Sequence, residues 1–388
     1  MKFKKIVYVG YFPLTNVIYN DYYFEALLQN NILVEYLDVT ALFFNVDLIN
    51  EFSYKDTVKI SSYKDLEKYL IGQDNSQNLY ISFIGYEWRV VKLFRIFTKH
   101  KLFTGVFGRG AFPNIYDSTV TKYIFNIKNF GLNRLSIMVK NRLARLFKIY
   151  GYVKTYNYIF RAGSDGHIAF GYGNDIDLLN AEIINVNTID YDKFLIEREK
   201  KEAFKDDYAV FLDQYFPYHP DTIYFNIKTV EANRYYSELN AFFEKFEKRT
   251  NKRVIIAAHP KAAKYNTENP FNGREIIFYK PNELVKNASL VLTHNSTAVC
   301  FPICYKKKLI LLTNEYLEET FLDYKLSLNA IKNASGCAII SMDSEELNIP
   351  TGINEDLYMD YSYKYLTSEA SEFELSQNIF LDFIANKR

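Results

Sequence analysis

The sequence predicts an α/β protein of two domains, each organised round a mostly parallel sheet. Three observations predict it. The chain has 388 residues, enough for two domains of ordinary size with separate cores. Apolar runs of strand length alternate with amphipathic helical patterns, as strand–crossover–strand units require. The alternation is interrupted once, by the charged stretch EREKKEAFKDD from Glu197 to Asp207, and then resumes. The boundary falls there: one domain over 1–200, a second over 201–388, and a hinge near 197–207.

In the first half, Lys5–Gly10 (KIVYVG) reads as a buried strand, Asn20–Gln29 as a helix and Ile32–Val39 as the next strand. Further strands are expected at Leu79–Phe83, Phe103–Phe107 and Tyr156–Phe160, with helical patterns over Glu87–Thr98 and much of 118–150. The second half repeats the logic. Tyr208–Leu212 opens it, and a helix over Thr229–Thr250 sets Tyr235, Leu239, Phe242 and Phe246 on one face. Strands follow at Val254–Ala258, Glu275–Phe278, Ser289–Thr293 and Leu309–Leu312, and Ser371–Ala385 closes as a helix. VYVGYFP near the start and VFLDQYFP after the boundary both run from a strand into Tyr-Phe-Pro, a short echo between the halves.

Composition narrows the function classes. A net charge of +1 provides no overall field to hold nucleic acid, and no recognition motif accompanies the local basic clusters. Cys300, Cys304 and Cys337 are too few for a disulfide framework and lack zinc-ligand spacing, which fits a reducing compartment. Lys2, Lys4 and Lys5 precede an apolar run too short for a signal peptide, and no run reaches the roughly 18 apolar residues that span a bilayer. The expected location is cytoplasmic, with contact at a membrane surface left open.

Polar residues at the ends of the second-half strands carry the candidate chemistry. In an open α/β sheet, ligands bind beyond the carboxyl ends of the strands. His259 and Pro260 follow the strand RVIIAA, where an imidazole can donate to a phosphate oxygen; capping of the next helix is its ordinary alternative. Ser296 and Thr297 follow SLVLTH and open the run AVCFPIC, so hydroxyls and unpaired amides coincide at a helix start, as an anion site or a plain N-cap. Pro302 lacks the amide hydrogen for the Ala298 carbonyl and should shorten this helix. Cys300 and Cys304 are expected to pack on the sheet. Glu283, in YKPNEL, suits either ribose hydroxyls or the helix dipole. His219, in YFPYHPD, is a further candidate for the cleft or a solvated loop residue. GVFGRGAFPN has neither dinucleotide-binding nor P-loop spacing.

The order His-Pro, Glu, then Ser-Thr after a strand resembles bacterial GT-B glycosyltransferases that use CMP-activated sugars: the sialyltransferases, polysialyltransferases and Kdo transferases of capsule and lipopolysaccharide synthesis. It also resembles the CDP-glycerol glycerophosphotransferases of teichoic-acid assembly. The resemblance covers roughly 208–315. It implies a GT-B architecture of two Rossmann-like domains facing across a cleft, with the nucleotide held by the C-terminal one. It puts His259 and the Ser296–Thr297 hydroxyls on the nucleotide phosphate and Glu283 on the ribose. It implies transfer of sialic acid, Kdo or a related sugar from a CMP-sugar to a cell-surface glycan or glycolipid acceptor, with no cofactor and no obligatory metal. A UDP-sugar or CDP-glycerol-type transferase on the same fold, and a non-catalytic glycan-binding scaffold, are the alternatives. In such sialyltransferases an acidic pair before a Gly supplies the general base. Here the match is Ser164, Asp165, Gly166, so the first acid is replaced and Asp165 is the candidate base or a turn residue. Asp175 with Asp177 and Asp190 with Asp192 form two Asp-x-Asp pairs, read as helix-start and loop charges.

Between Asp117 and Asp165 there is no acidic residue, while nine Lys and Arg, among them Lys140, Arg142, Arg145 and Lys148, interleave with apolar residues. Such a segment suits an anionic membrane surface, an anionic glycan, or an ordinary solvated helix face.

Overall fold

A computed structural model of the chain describes residues 2–44, 52–110, 112, 113, 115, 136–165, 174–200, 207–219, 222 and 228–386, with the backbone alone at 174 and 175. Among the described residues, 2–110, 136–189 and 364–386 form one compact unit, and 190–363 with 112, 113 and 115 form the other. The division therefore falls at 189/190 and again at 363/364, where the sequence suggested one cut at 200. The first cut is displaced because the helix Ile189–Arg198 ends on the second unit. Lys286 donates its ammonium to the carbonyls of Glu197, Arg198 and Lys200, satisfying the acceptors that a helix C-terminus leaves open. Part of the expected hinge, 201–206, lies outside the described residues.

The first unit holds strands β1 (Lys5–Gly10), β2 (Leu33–Asp38), β3 (Thr57–Lys59), β4 (Asn78–Ser82), β5 (Phe103–Gly108), β6 (Tyr158–Ala162) and β7 (Glu182–Val186), ordered 3-2-1-4-5-6-7. The second holds β8 (Tyr208–Leu212), β9 (Arg253–Ala258), β10 (Ile276–Phe278), β11 (Leu290–Thr293), β12 (Lys308–Thr313) and β13 (Ala338–Ser341), ordered 10-9-8-11-12-13. Every neighbouring pair is parallel. Both sheets thus share the doubly wound order in which the first strand lies at the centre and the chain reverses direction beside it. The Tyr-Phe-Pro echo follows that central strand in each unit, β1 and β8.

Two apolar layers sandwich the first sheet. On one side, Leu66 and Leu70 of the helix Tyr63–Ile71, Phe94 and Phe97 of Val91–Lys99 and Ala144 of a helix over 136–149 cover the strands. On the other, Phe24 and Leu27 share a core with Ile379, Phe380, Phe383 and Ile384 of the final helix, Ser376–Ala385. That helix was expected in the second domain. It returns to the first because its aromatic face meets rings there: Phe380 sits 4.8 Å from Phe160, and Phe383 4.9 Å from Tyr158.

One expected helix is broken. Asn20–Gln29 splits into Asn16–Asp21 and Phe24–Gln29, with Tyr23 at φ 67° between them. The buried hydroxyl of Tyr8 needs an acceptor and takes the carbonyl of Tyr22 at 2.6 Å.

Lys148 and Asp177 correct the reading of the basic segment. Rather than lying on the surface, the two side chains are 0% and 3% exposed and pair at 2.6 Å between the helix over 136–149 and the helix Asn174–Asn180. The Lys148 ammonium lies 4.2 Å from the Tyr86 ring and 4.4 Å from that of Tyr156, and Asp177 also accepts the Tyr156 amide at 3.0 Å. Burial lowers the lysine pKa, opposed by the aspartate beside it. Removing one partner leaves an uncompensated buried charge. Lys148→Met is therefore expected to cost about 3–5 kcal/mol in urea unfolding. Adding Asp177→Asn should recover part of that loss, since an asparagine side chain still accepts the Tyr156 amide without a charge. A single variant as stable as wild type would refute the pairing.

Candidate functional site

The carboxyl ends of β9, β8 and β11 lie side by side at the point where the second sheet reverses its winding. Register fixes their relation. Leu212 of β8 is level with Ala257 of β9 and with Thr293 of β11. The next residues, Asp213, Ala258 and His294, complete one row, and Gln214, His259 and Asn295 stand one step beyond it. His259 and the Ser296 turn are thus brought to one edge, on strands flanking β8.

Asp213 holds this edge together. Its buried carboxylate accepts the amide of Tyr215 at 3.1 Å and the hydroxyl of Tyr265 at 3.0 Å, as well as the amides of Gln214 and His259. One side chain therefore ties the loop after β8 to the loop after β9. Burial pushes its pKa up to about 6, with the four donors opposing the rise. Tyr265 is placed in turn by Tyr236, whose hydroxyl lies 2.8 Å away.

The half-buried His259 ring accepts the Lys261 amide on Nδ1 at 3.2 Å, which leaves the proton of the neutral ring on Nε2. Ala262 N–H bonds to His259 O at 2.9 Å and closes the turn through the exposed Pro260. His219, from the loop after β8, packs edge-on against His259 with centroids 4.8 Å apart, so the structure joins two residues that sequence could only nominate separately.

Ser296 is the N-cap of a short helical run. Its Oγ accepts the Ala298 amide at 3.2 Å and keeps its own proton for donation; Thr297 is exposed beside it. Pro302 has the expected effect: a 3-10 turn over Thr297–Val299 leads into only five α-helical residues, Cys300–Cys304. Cys300 is buried there and its thiol pKa is raised by desolvation, which marks a packing residue.

His294, without an identifiable partner in the sequence, is fully buried behind this turn. Nδ1 faces the Leu312 carbonyl at 3.0 Å and so carries the proton, and Nε2 lies 3.0 Å from the Tyr235 hydroxyl. Phe216 stacks on the ring at 4.9 Å. Burial lowers its pKa to about 4, so it stays neutral and serves the core.

Glu283 lies farther along the edge. It opens the helix Pro281–Asn287 after the edge strand β10 and pairs with Lys280 at 3.1 Å. Asp165 belongs to the first unit, where it follows β6. It is exposed, its amide donates to Lys364 O at 2.8 Å, and the Ser164 hydroxyl is 3.2 Å from its carboxylate. Gly163 makes this approach possible: its φ is 68°, and a Cβ there would stand 2.4 Å from the Lys364 carbonyl oxygen. Gly166 lies outside the described residues. Asp190 and Asp192 occupy the first turn of their helix, as expected; Asp175 and Asp177 lie near the start of the helix Asn174–Asn180, where Asp177 is the buried partner of Lys148. Among the described residues no three His, Cys, Asp or Glu side chains converge as metal ligands. Asp213 is the residue that sequence reasoning passed over, although its place directly after the first strand of the second domain, in FLDQYFP, was a signal.

No protein-family model and no curated protein matches the sequence. Among solved structures, the calicheamicin glycosyltransferase CalG4 aligns with 100% of this chain and 99% of its own, at a TM-score of 0.51 and 10% identity. The UDP-GlcNAc 2-epimerase of Methanocaldococcus jannaschii aligns with 99% of this chain and 100% of its own (TM-score 0.45, 14% identity). UGT71G1 of Medicago truncatula, complexed with UDP-glucose, aligns with 99% and 98% (TM-score 0.48, 9% identity). The likeness to CalG4 shows the fold: the chain has the two Rossmann-like units of a GT-B protein.

Asp213 has a signature in pH. Its ordinary value is 3.8 and its folded value about 6. Between these the native state holds a proton that the unfolded chain has released, so stability falls as pH rises through the window and remains lower above it. The loss is about 3 kcal/mol at neutral pH. His294 acts in the opposite sense, losing stability as pH falls from 6.5 towards 4, but it does so in variant and wild type alike. In urea unfolding, the free-energy difference between Asp213→Asn and wild type should therefore move in favour of the variant by about 2 kcal/mol from pH 4 to pH 7. A pH-independent difference would refute the buried carboxylate.

Proposed function

We propose that the protein is a glycosyltransferase that moves a sugar from a nucleotide-activated donor to a cell-surface glycan or glycolipid acceptor. The observation that carries the proposal is the convergence of His259, His219 and the Ser296–Thr297 turn on the carboxyl edge of the second sheet, at its switch point. In this reading the second unit, 190–363, binds the donor. His259 Nε2–H and the two hydroxyls neutralise charge on the leaving phosphate, Pro260 stiffens the turn, and Glu283 receives the ribose. The first unit receives the acceptor, and Asp165 takes the proton from its attacking hydroxyl.

Two donor classes follow. The order His-Pro, Glu, Ser-Thr resembles the CMP-sugar enzymes, with sialic acid, Kdo or a related ulosonic acid as the sugar. The spacing of the two phosphate stations instead suits a UDP-sugar or CDP-glycerol-type donor. His259 and Ser296 sit at the ends of β9 and β11, two strand spacings of about 4.8 Å apart. Two linked phosphates cover that span more readily than one. Calorimetry with CMP, CDP and UDP decides between them: preference for CMP supports the first class and for UDP or CDP the second, and binding of none favours a non-catalytic glycan-binding protein.

No helix among the described residues is long and apolar enough to cross a membrane. We propose a cytoplasmic enzyme that works peripherally at the inner membrane surface, where capsule and lipopolysaccharide acceptors are assembled on lipid carriers.

Substitutions separate the roles. His259→Ala, and Ser296→Ala combined with Thr297→Val, should each remove about 1.5–3 kcal/mol of phosphate binding, a tenfold to hundredfold loss of nucleotide affinity or of kcat/KM. Asp165→Asn should lower turnover and spare nucleotide affinity, because the base acts on the acceptor. Normal affinity and turnover in the folded His259 and Ser296–Thr297 variants would reject the phosphate site.

A further inference from the structure

The helix over 136–149 turns Met138, Ala144 and Lys148 inward. Its outer side should be polar for an ordinary surface helix. Instead Val139, Leu143, Leu146 and Tyr150 are 52%, 43%, 41% and 80% exposed. They recur every three or four residues and so form one stripe. At its end, half-exposed Trp88 and Tyr152 flank Phe147 at 6.0 and 5.1 Å.

A cationic groove continues this surface. Arg95 stands 4.1 Å above the Tyr152 ring and donates to Tyr152 O at 2.7 Å. With Tyr63, Lys64, Glu67, Lys92 and Lys99 it lines a groove of about 460 Å³ between the helices Tyr63–Ile71 and Val91–Lys99, in the same layer as the striped helix. The one carboxylate lining it, Glu67, is paired with Lys99 at 2.6 Å. Lys64, Lys92 and Arg95 remain as net positive charge, all exposed. Exposed Lys140 and Arg142 border the stripe itself.

We infer that this layer docks on an anionic phospholipid surface, with the stripe entering the boundary between headgroups and acyl chains and the groove taking a lipid phosphate. The inference deepens the peripheral placement proposed above and rests on it, and it is independent of the donor nucleotide. Charge selects the occupant. A second copy of the chain would bring one cationic groove towards another, whereas an anionic bilayer complements it and offers an apolar phase for the stripe. Trp88, Tyr150 and Tyr152 have the apolar ring and polar tip that favour the water–lipid interface. The reading also shifts weight from Lys148, which is buried, to Lys92 and Arg95 outside the acid-free segment.

Vesicle sedimentation tests it, using phosphatidylcholine alone and phosphatidylcholine with 30% phosphatidylglycerol. Wild type should partition at least tenfold more strongly to the anionic vesicles. Leu143→Gln with Leu146→Gln should lose tenfold or more of that binding at low salt, and Lys92→Gln with Arg95→Gln should lose most of the preference for phosphatidylglycerol. Nucleotide affinity should stay at the wild-type value in both, since these side chains lie outside the nucleotide site, and both should remain folded, with loss of the Arg95–Tyr152 contacts lowering the unfolding midpoint of the second only slightly. Wild type that ignores anionic vesicles defeats peripheral placement altogether. Wild-type binding with an unaffected stripe variant defeats the inserted stripe alone. A dimer that the stripe variant converts to monomer, with vesicle binding unchanged, assigns the face to a second copy.

Discussion

Parallel pairing throughout both sheets is the constraint on which the rest of this structure depends. A parallel neighbour cannot be reached by a hairpin, so each strand must be followed by a crossover that covers a face of the sheet. The central strands are then buried on both sides and read as continuous apolar runs, as YAVFL of β8 does with every residue buried. The same constraint sends all carboxyl ends to one edge. Polar residues there are spared from the core and can serve a ligand.

Lys148 with Asp177, His294 and Asp213 are buried polar groups held by several partners each, and their locations differ in purpose. Lys148 and Asp177 fasten two helices of the first unit together beside the rings of Tyr86 and Tyr156. His294 fills the space beneath the Ser296 turn, bonded to a carbonyl and a tyrosine. Asp213 alone among these reaches a candidate functional loop, because one of its donors is the amide of His259. Its oxygens thereby join chain segments separated by more than forty residues in sequence.

The central architecture was legible in the sequence, and of the four edge strands only β10 was. β1, β4, β5, β8, β9, β11 and β12 stand out because burial on both faces demands apolar runs. β3, β7 and β13 lie at sheet edges, where only one neighbour exists and exposure is higher, so their sequences (TVK, EIINV, AIIS) lack the signal. The break at Tyr23 depends on a hydroxyl from a different strand, which local periodicity cannot reveal. In the same way Lys148 reads as one basic residue among many until Asp177, far along the chain, is brought against it. His259 and Ser296 were recognisable by their places after strands. The contact of His259 with His219 and the anchoring by Asp213 are tertiary facts.

The final helix has a consequence for synthesis of the protein. Ile379, Phe380, Phe383 and Ile384 complete a core begun by Phe3, Tyr8 and Phe24, yet they are made after the whole of 190–363. At translation rates of 5–20 residues per second, that interval lasts roughly 10 to 40 s. Throughout it, the aromatic face formed by Phe107, Tyr158 and Phe160 has no native cover from Phe380 and Phe383. A part of the chain made before 190–363 is thus among the last to be finished, with an aromatic surface uncovered for a defined time.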